Sequence, residues 1–276
     1  MTIQGYYKYP TICKDNVVFV SEDDLWAVPT NGGEARRLTA NLGVVSHPAL
    51  SPNGKLLAFI GREDGENEVY IMPSLGGSTK RLTYLGSGTT VLGWTAEGEQ
   101  IIFASNAGQY FFRLTPLYTV SPNGSYPEKL PYGPVRSISF GPDKGVVLGR
   151  RATDLASWKR YRGGRVGEIW IDLQGQGKFK DLLGKLKSNV ASPMWIGERI
   201  YFLSDHEGIG NLYSCNLKGH DIQRHTQHED FYAGYPKTDG ERIVYQAGGD
   251  LYVFDTTQSG QQSRKLEIDF HSPRVQ

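Results

Sequence analysis

Several things are scarce in these 276 residues. Cysteine occurs twice, as Cys13 and Cys215, too few for the disulfide framework of a small secreted scaffold. No stretch approaches the roughly 18 consecutive apolar residues of a membrane-spanning helix. The opening MTIQGYYKYP has neither the charged nor the apolar block of a secretory signal. Thirty Lys and Arg stand against 29 Asp and Glu, a net charge of +1, so no field of one sign draws nucleic acid or an anionic membrane. Ala-Leu-Glu-Lys blocks of the helix-forming kind are rare. Together these absences predict a soluble, cytoplasmic, mainly β protein with no nucleic-acid or membrane partner.

What the chain has in quantity is punctuation and aromatics: 34 Gly, 14 Pro and 16 Tyr. An apolar strand, a polar turn and a second strand ending in an aromatic recur as VVFVSEDDLW, LLAFIGREDGENEVY, IIFASNAGQYFF, RIYFLSDHEGIGNLY and RIVYQAGGDLY. A sixth copy is stretched, with VVLGR and EIW separated by an insertion. The aromatic markers are Trp26, Tyr70, Phe112, Trp170, Tyr213 and Tyr252, which makes six repeats. Each hairpin is preceded by a strand (YPTI, HPAL, VLGW, SISF, SPMW, GYPK) and followed by another (RRLT, KRLT, EKLP, KDLL, QRHT, RKLE). Four antiparallel strands per unit, at a period of roughly 40–45 residues, describe propeller blades. The expected fold is therefore an all-β, six-bladed β-propeller forming one domain, with blades near 9–46, 47–90, 91–134, 135–188, 189–232 and 233–276. Cys13 and Cys215 then lie in blades that are not neighbours, which argues against a bridge. The tail LEIDFHSPRV either completes a strand or leads onward.

A blade buries both faces only against its neighbours, so Trp26, Trp94, Trp170 and Trp195 are expected in inter-blade core. Ser51-Pro52-Asn53-Gly54 and Ser121-Pro122-Asn123-Gly124 carry the fixed φ of Pro and the left-handed tolerance of Asn and Gly, and read as turns.

The segment VVFVSEDDLWAVPTNGGEARRLTANLG, followed by LSPNGKLLAFIGREDG and KRLTYLG, resembles the start of tricorn-type proteases. The run SWKRYRGGRVGEIWIDL at residues 157–173 and the following ERIYFLSDHEGIGNLYS are similar to that family's first propeller. The resemblance implies the N-terminal propeller of a large cytoplasmic, homo-oligomeric serine peptidase. Its seven-bladed propeller, PDZ-like domain and catalytic core would lie beyond Gln276. It further implies a scaffold and a passage or filter for peptides, docked on downstream domains of the same polypeptide. An arginine pair that some members carry before the third blade, proposed to hold a peptide carboxylate, is replaced here by Ser87-Gly88-Thr89-Thr90, which leaves the Arg-rich fourth blade to compensate for that anchor.

Among residues with chemical potential, the insertion of the fourth blade stands out. Arg150, Arg151, Lys159, Arg160, Arg162 and Arg165 are interrupted by Trp158, Tyr161 and Gly163-Gly164. Guanidinium groups hold carboxylates bidentately, so this loop is a candidate to receive peptide C-termini or to dock another domain, the alternative being a solvated loop. Ser46-His47 has the look of a catalytic pair but opens a strand present in every repeat, with no nucleophile elbow nearby, so no catalytic residue is assigned. His220, His225, His228, Glu229 and Asp230 lack the spacing of a metal site, and no metal or cofactor is assigned. The acidic turns Glu22-Asp23-Asp24, Glu63-Asp64-Gly65 and Asp205-His206-Glu207-Gly208 recur at one hairpin position, which argues for turn chemistry and not calcium. Two other readings remain: an independent TolB-like interaction propeller, and a complete propeller enzyme, for which a convincing inward carboxylate set is lacking.

Overall fold

Strands in this chain are apolar at consecutive positions, as in VVFV and LWAV, and such strands need cover on both faces. The computed structural model, which describes residues 5–40, 43–63, 65–258, 260 and 262–272, supplies that cover by closing six four-stranded antiparallel sheets into a ring. Asp64 of one acidic turn and Pro273-Arg274-Val275 of the tail lie outside the described residues.

Strands follow chain order within every sheet. The innermost are Lys8–Cys13, Ser46–Leu50, Thr89–Trp94, Ser137–Phe140, Val190–Ile196 and Gly234–Thr238. Each packs against the innermost strand of the next blade, and the sixth packs against the first. The apolar core lies between blades: Val18, Leu25 and Ala27 of the first pack with Leu57, Phe59, Tyr70 and Met72 of the second. Cross-strand aromatic pairs in the middle of four blades stack at 5.4–6.2 Å, namely Phe59–Tyr70, Phe103–Tyr118, Phe202–Tyr213 and Tyr245–Tyr252. Trp26, Trp94 and Trp195 are buried, while Trp170 is half-buried beneath Arg150.

One marker moves. The third strand of blade three is Pro116–Val120, so its aromatic is Tyr118, opposite Phe103, whereas Phe112 is 73% exposed in the loop before it. Successive residues of a strand face opposite ways, so the three adjacent aromatics of Tyr110-Phe111-Phe112 cannot all face a core. PLYTV can alternate.

The repeated Arg-x-Thr ending also acquires a reason. Thr39, Thr83 and Thr226 follow the outer strands, and each hydroxyl accepts a hydrogen bond from the backbone of Leu25, Val69 or Leu212 at 2.9 Å. The same hydroxyl donates to the side chain that begins the third strand: Asp24 at 2.9 Å, Glu68 at 2.5 Å and Asn211 at 2.7 Å. Arg37 pairs with Asp24, and Arg81 with Glu68 at 3.3 Å. Asp24 is therefore not a solvated turn acid. It is a buried acceptor that fastens the outer edge of its blade, where the strand is only two residues long.

Among the described residues, the four-stranded sheets of blades one and six are each built from their own stretch of chain, so the ring does not close by exchanging a strand between them. Instead Ile268–Asp269 runs parallel to Gly33–Glu34, with Gly33 N and Ala35 N donating to Glu267 O and Asp269 O at 2.9 Å. Gly32, at φ +89°, lies so close that a Cβ would stand 2.5 Å from the Glu267 carbonyl. Phe270 then inserts, 1% exposed, against Trp26 at 4.5 Å and Tyr7 at 5.6 Å. Among the described residues no helix is long and apolar enough to cross a membrane.

Phe270→Ala is expected to lower the unfolding free energy by about 3–5 kcal/mol, the usual cost of emptying a buried aromatic site. Tyr126→Ala, at a 94% exposed position, should change it by less than about 0.5 kcal/mol. Urea denaturation of the two variants checks this, and equal midpoints would show that the seam does not depend on the phenyl ring.

Candidate functional site

The six innermost strands enclose a central channel of about 700 Å³. Its wall is made by an irregularity that recurs in the sequence as residue-Pro: Tyr9-Pro10, His47-Pro48, Ser192-Pro193 and Tyr235-Pro236. Each of these four strands slips register at this point, and the residue before Pro has a φ between 49° and 53°. Positive φ in a non-glycine residue is strained, on the order of 1–3 kcal/mol, and such strain gathers where a side chain must be aimed.

Three of the four side chains converge. The His47 ring stacks on Tyr9 at 4.3 Å, and Tyr235 meets Tyr9 edge-on at 4.6 Å. Tyr9 N donates to the Gln246 side chain at 2.8 Å, which ties this collar across the seam between blades one and six. His47 and Lys237 keep some surface open to the channel but are surrounded by protein. Burial, with Lys237 nearby, lowers His47 to about 4, and burial lowers Lys237 to about 8. Arg136 also lines the channel and has no ion pair among the described residues. Burial and then the charge of Arg165 lower its pKa. His47 of the Ser46-His47 pair is thus channel wall, with its pKa held low by burial.

The basic insertion of blade four joins the second and third strands, as does the loop bearing Tyr110, Phe111 and Phe112, so both emerge on one face of the ring. The insertion is a strap lying over blade five. Leu155, fully buried, packs among Ala191, Leu203, Leu212 and Ala233, and Asp154 caps its short helical turn by accepting from Ala156 N at 2.9 Å. Asp205, with no exposed surface, accepts from Arg160 N at 2.7 Å, from Arg162 Nη1 at 3.0 Å and from Ser188 Oγ at 3.1 Å. The strap ends at Gly167, where a Cβ would stand 1.9 Å from the Val190 carbonyl.

The six basic candidates do not converge. Arg150 lies 5.1 Å over the Trp170 ring, and Arg151 pairs with Glu168 at 2.8 Å while donating to Gly164 O at 2.9 Å. Lys159 lies 5.6 Å over Tyr232, and Arg162 holds Asp205. The charge of Arg165 is felt by Arg136, whose pKa it lowers. Tyr9, Arg136, Tyr235 and Lys237 were not singled out by sequence reasoning, although the recurring residue-Pro pairs carried a signal of them.

The histidine-rich stretch disperses. His225 sits between Tyr201 and Phe254 with Nε2 2.7 Å from Ser214 Oγ, and His228 Nε2 lies 2.9 Å from Tyr245 OH. Among the described residues no three His, Cys, Asp or Glu side chains are grouped to hold a metal. Cys13 and Cys215 are both buried free thiols.

Residues 4–260 match the family model of the tricorn protease N-terminal β-propeller domain. Tricorn protease homolog 1 of Streptomyces coelicolor is 41% identical over 272 residues, covering 98% of this chain and 25% of that protein. The tricorn protease homolog of Saccharolobus solfataricus is 39% identical, covering 99% of this chain and 25% of that protein. The crystal structure of the tricorn protease superposes with a TM-score of 0.89 at 33% identity, over 99% of this chain and 27% of that one. This chain spans about a quarter of the length of these relatives.

Two outcomes follow from the geometry. Asp205→Ala should free the strap and speed tryptic cleavage at Lys159, Arg160 and Arg162 by about tenfold, the scale of a lost charged hydrogen bond. Unchanged cleavage would show that Leu155 alone holds it. Burial and then Arg199 lower His225 to about 4 from its ordinary 6.5. The unfolded chain therefore binds the extra proton first, and stability falls as pH drops from about 6.5 towards 4. His225→Gln should flatten that part of a melting-temperature profile against pH.

Proposed function

The chain belongs to the tricorn protease N-terminal β-propeller family, and from that premise we propose that it is the non-catalytic propeller of a tricorn-type serine protease. It acts as a scaffold for the peptidase parts and as a passage and filter for peptides in cytoplasmic protein breakdown. The parent protein is a homo-oligomer in which this ring docks on downstream domains of its own polypeptide. Peptide-bond hydrolysis belongs to the three quarters of the relatives' length that this chain does not span.

The observation that carries this reading is the channel itself, ringed by all six innermost strands and carrying the guanidinium of Arg136, which has no ion pair among the described residues. A peptide presents backbone polar groups and a terminal carboxylate. Such a wall suits it better than it suits a nucleic acid, which the balanced overall charge also disfavours. The strap and the aromatic loop of blade three flank one end of the channel and are natural docking or selecting elements, as loops on rigid scaffolds often are. Lys159, Arg160 and Arg165 are the basic residues of the strap best placed to meet a passing carboxylate or a neighbouring domain.

Two measurements test the reading. On short fluorogenic peptides, the full-length protein should cleave and the isolated chain should not. Comparable cleavage by the isolated chain would overturn the assignment of chemistry elsewhere. In the full-length protein, Thr90→Trp, which narrows the channel wall, should lower the steady-state turnover of a long peptide several-fold. Unchanged turnover would overturn the passage.

A further inference from the structure

Lys237 does not lie along the wall of the channel. It extends from the innermost strand of blade six, and its Nζ donates to the backbone carbonyl of Leu92 on the innermost strand of blade three. In a ring of six those two blades are opposite one another, so the side chain crosses the bore. The acceptor is free because blade three slips register here: Val91 pairs with Phe103 and Gly93 with Ile102, leaving Leu92 between them out of the ladder.

We propose that Lys237 is a bar across the channel and the binding site for the C-terminal carboxylate of a peptide, which draws the ammonium away from Leu92 as it binds. The proposal rests on the passage reading for its biological use, but the site stands on its own geometry.

The chemistry favours exchange of the partner. In its resting position the ammonium has a neutral carbonyl as its acceptor and no ion pair among the described residues. Asp239, the nearest acid along its strand, is held by Arg242 at 2.8 Å, and also accepts from Arg242 N at 2.8 Å. His47 beside it is neutral and offers no negative charge. Burial alone lowers the ammonium's pKa, so its charge is poorly compensated where it rests. A carboxylate entering the channel supplies that charge and a stronger, charge-assisted hydrogen bond. Arg136, which also lines the channel, adds a second cation. The Tyr9, His47 and Tyr235 collar gives the residues behind the carboxylate an apolar surface to lie against.

The test uses the 276-residue chain and the probe N-acetyl-trialanine, as the free acid and as the C-terminal amide, titrated by calorimetry. The acid is expected to bind at least about tenfold more tightly than the amide, the scale of one charged hydrogen bond. Lys237→Met should remove that difference while keeping the wild-type melting temperature, and Lys237→Arg should retain most of it. Equal binding of acid and amide to the wild type, or undiminished discrimination by Lys237→Met, overturns the proposal. Should Lys237→Met fail to fold, the acid–amide comparison and Lys237→Arg still decide it. Acetate that displaces the peptide at equal concentration would overturn the assignment to peptides, since the site would then serve any small carboxylate. These binding results are independent of turnover by the full-length protein: discrimination intact with turnover insensitive to Thr90→Trp would sink the passage and leave the site.

Discussion

The whole molecule depends on one constraint: a sheet that is apolar on both faces has no stable existence alone. Each blade here places consecutive buried residues in its second and third strands, so each needs a neighbour on either side. A row of such sheets would end in two bare faces. A ring has none, provided it closes, and every contact in the first five interfaces is worth having only if the sixth is also made. The channel is a consequence of that geometry, because six sheets meeting edge-inwards cannot all reach the axis.

Polar groups are arranged to protect this packing. Outer strands of two residues in five of the blades leave little edge to pair with another chain, and the threonine that follows three of them satisfies a backbone N–H and the Asp, Glu or Asn side chain that begins the third strand. Asp205 does the same for the strap: its buried carboxylate takes a backbone N–H, a guanidinium and a hydroxyl, so a segment that reads as basic and flexible is fastened at its middle.

The fold was legible in the sequence because a propeller writes its architecture six times. Aromatic markers and Arg-x-Thr endings survive one long insertion, and the one misplaced marker, Phe112, fell where three aromatics stood together and local likeness outweighed alternation. The resemblance carried by the fourth-blade run pointed to the right family. The channel was not legible. Its residues are brought together around the ring from strands far apart in the chain, and the orientation of Tyr9, His47 and Tyr235 arises from backbone that departs from the regular strand. Conversely, the basic residues that crowd together between 150 and 165 are dispersed by the fold, since neighbours in sequence on an extended strap point to different partners. Arg-rich spacing reports composition; the ion pairs that neutralise it come from Glu168 and Asp205, the latter 43 residues from Arg162 and in the next blade.

A ring of six wedges is mechanically a hoop, and a hoop under outward load opens at its weakest joint. Five joints here are continuous polypeptide. The sixth is made by contacts between the two ends of the ring: the apolar residues shared by blades one and six, the Tyr9–Gln246 bond, a two-residue parallel bridge, and Phe270 packed against Trp26 and Tyr7. Whatever widens the bore can part the ring there without breaking a covalent link, so the seam, with Phe270 in it, bears on the diameter of the opening together with the side chains that face the axis.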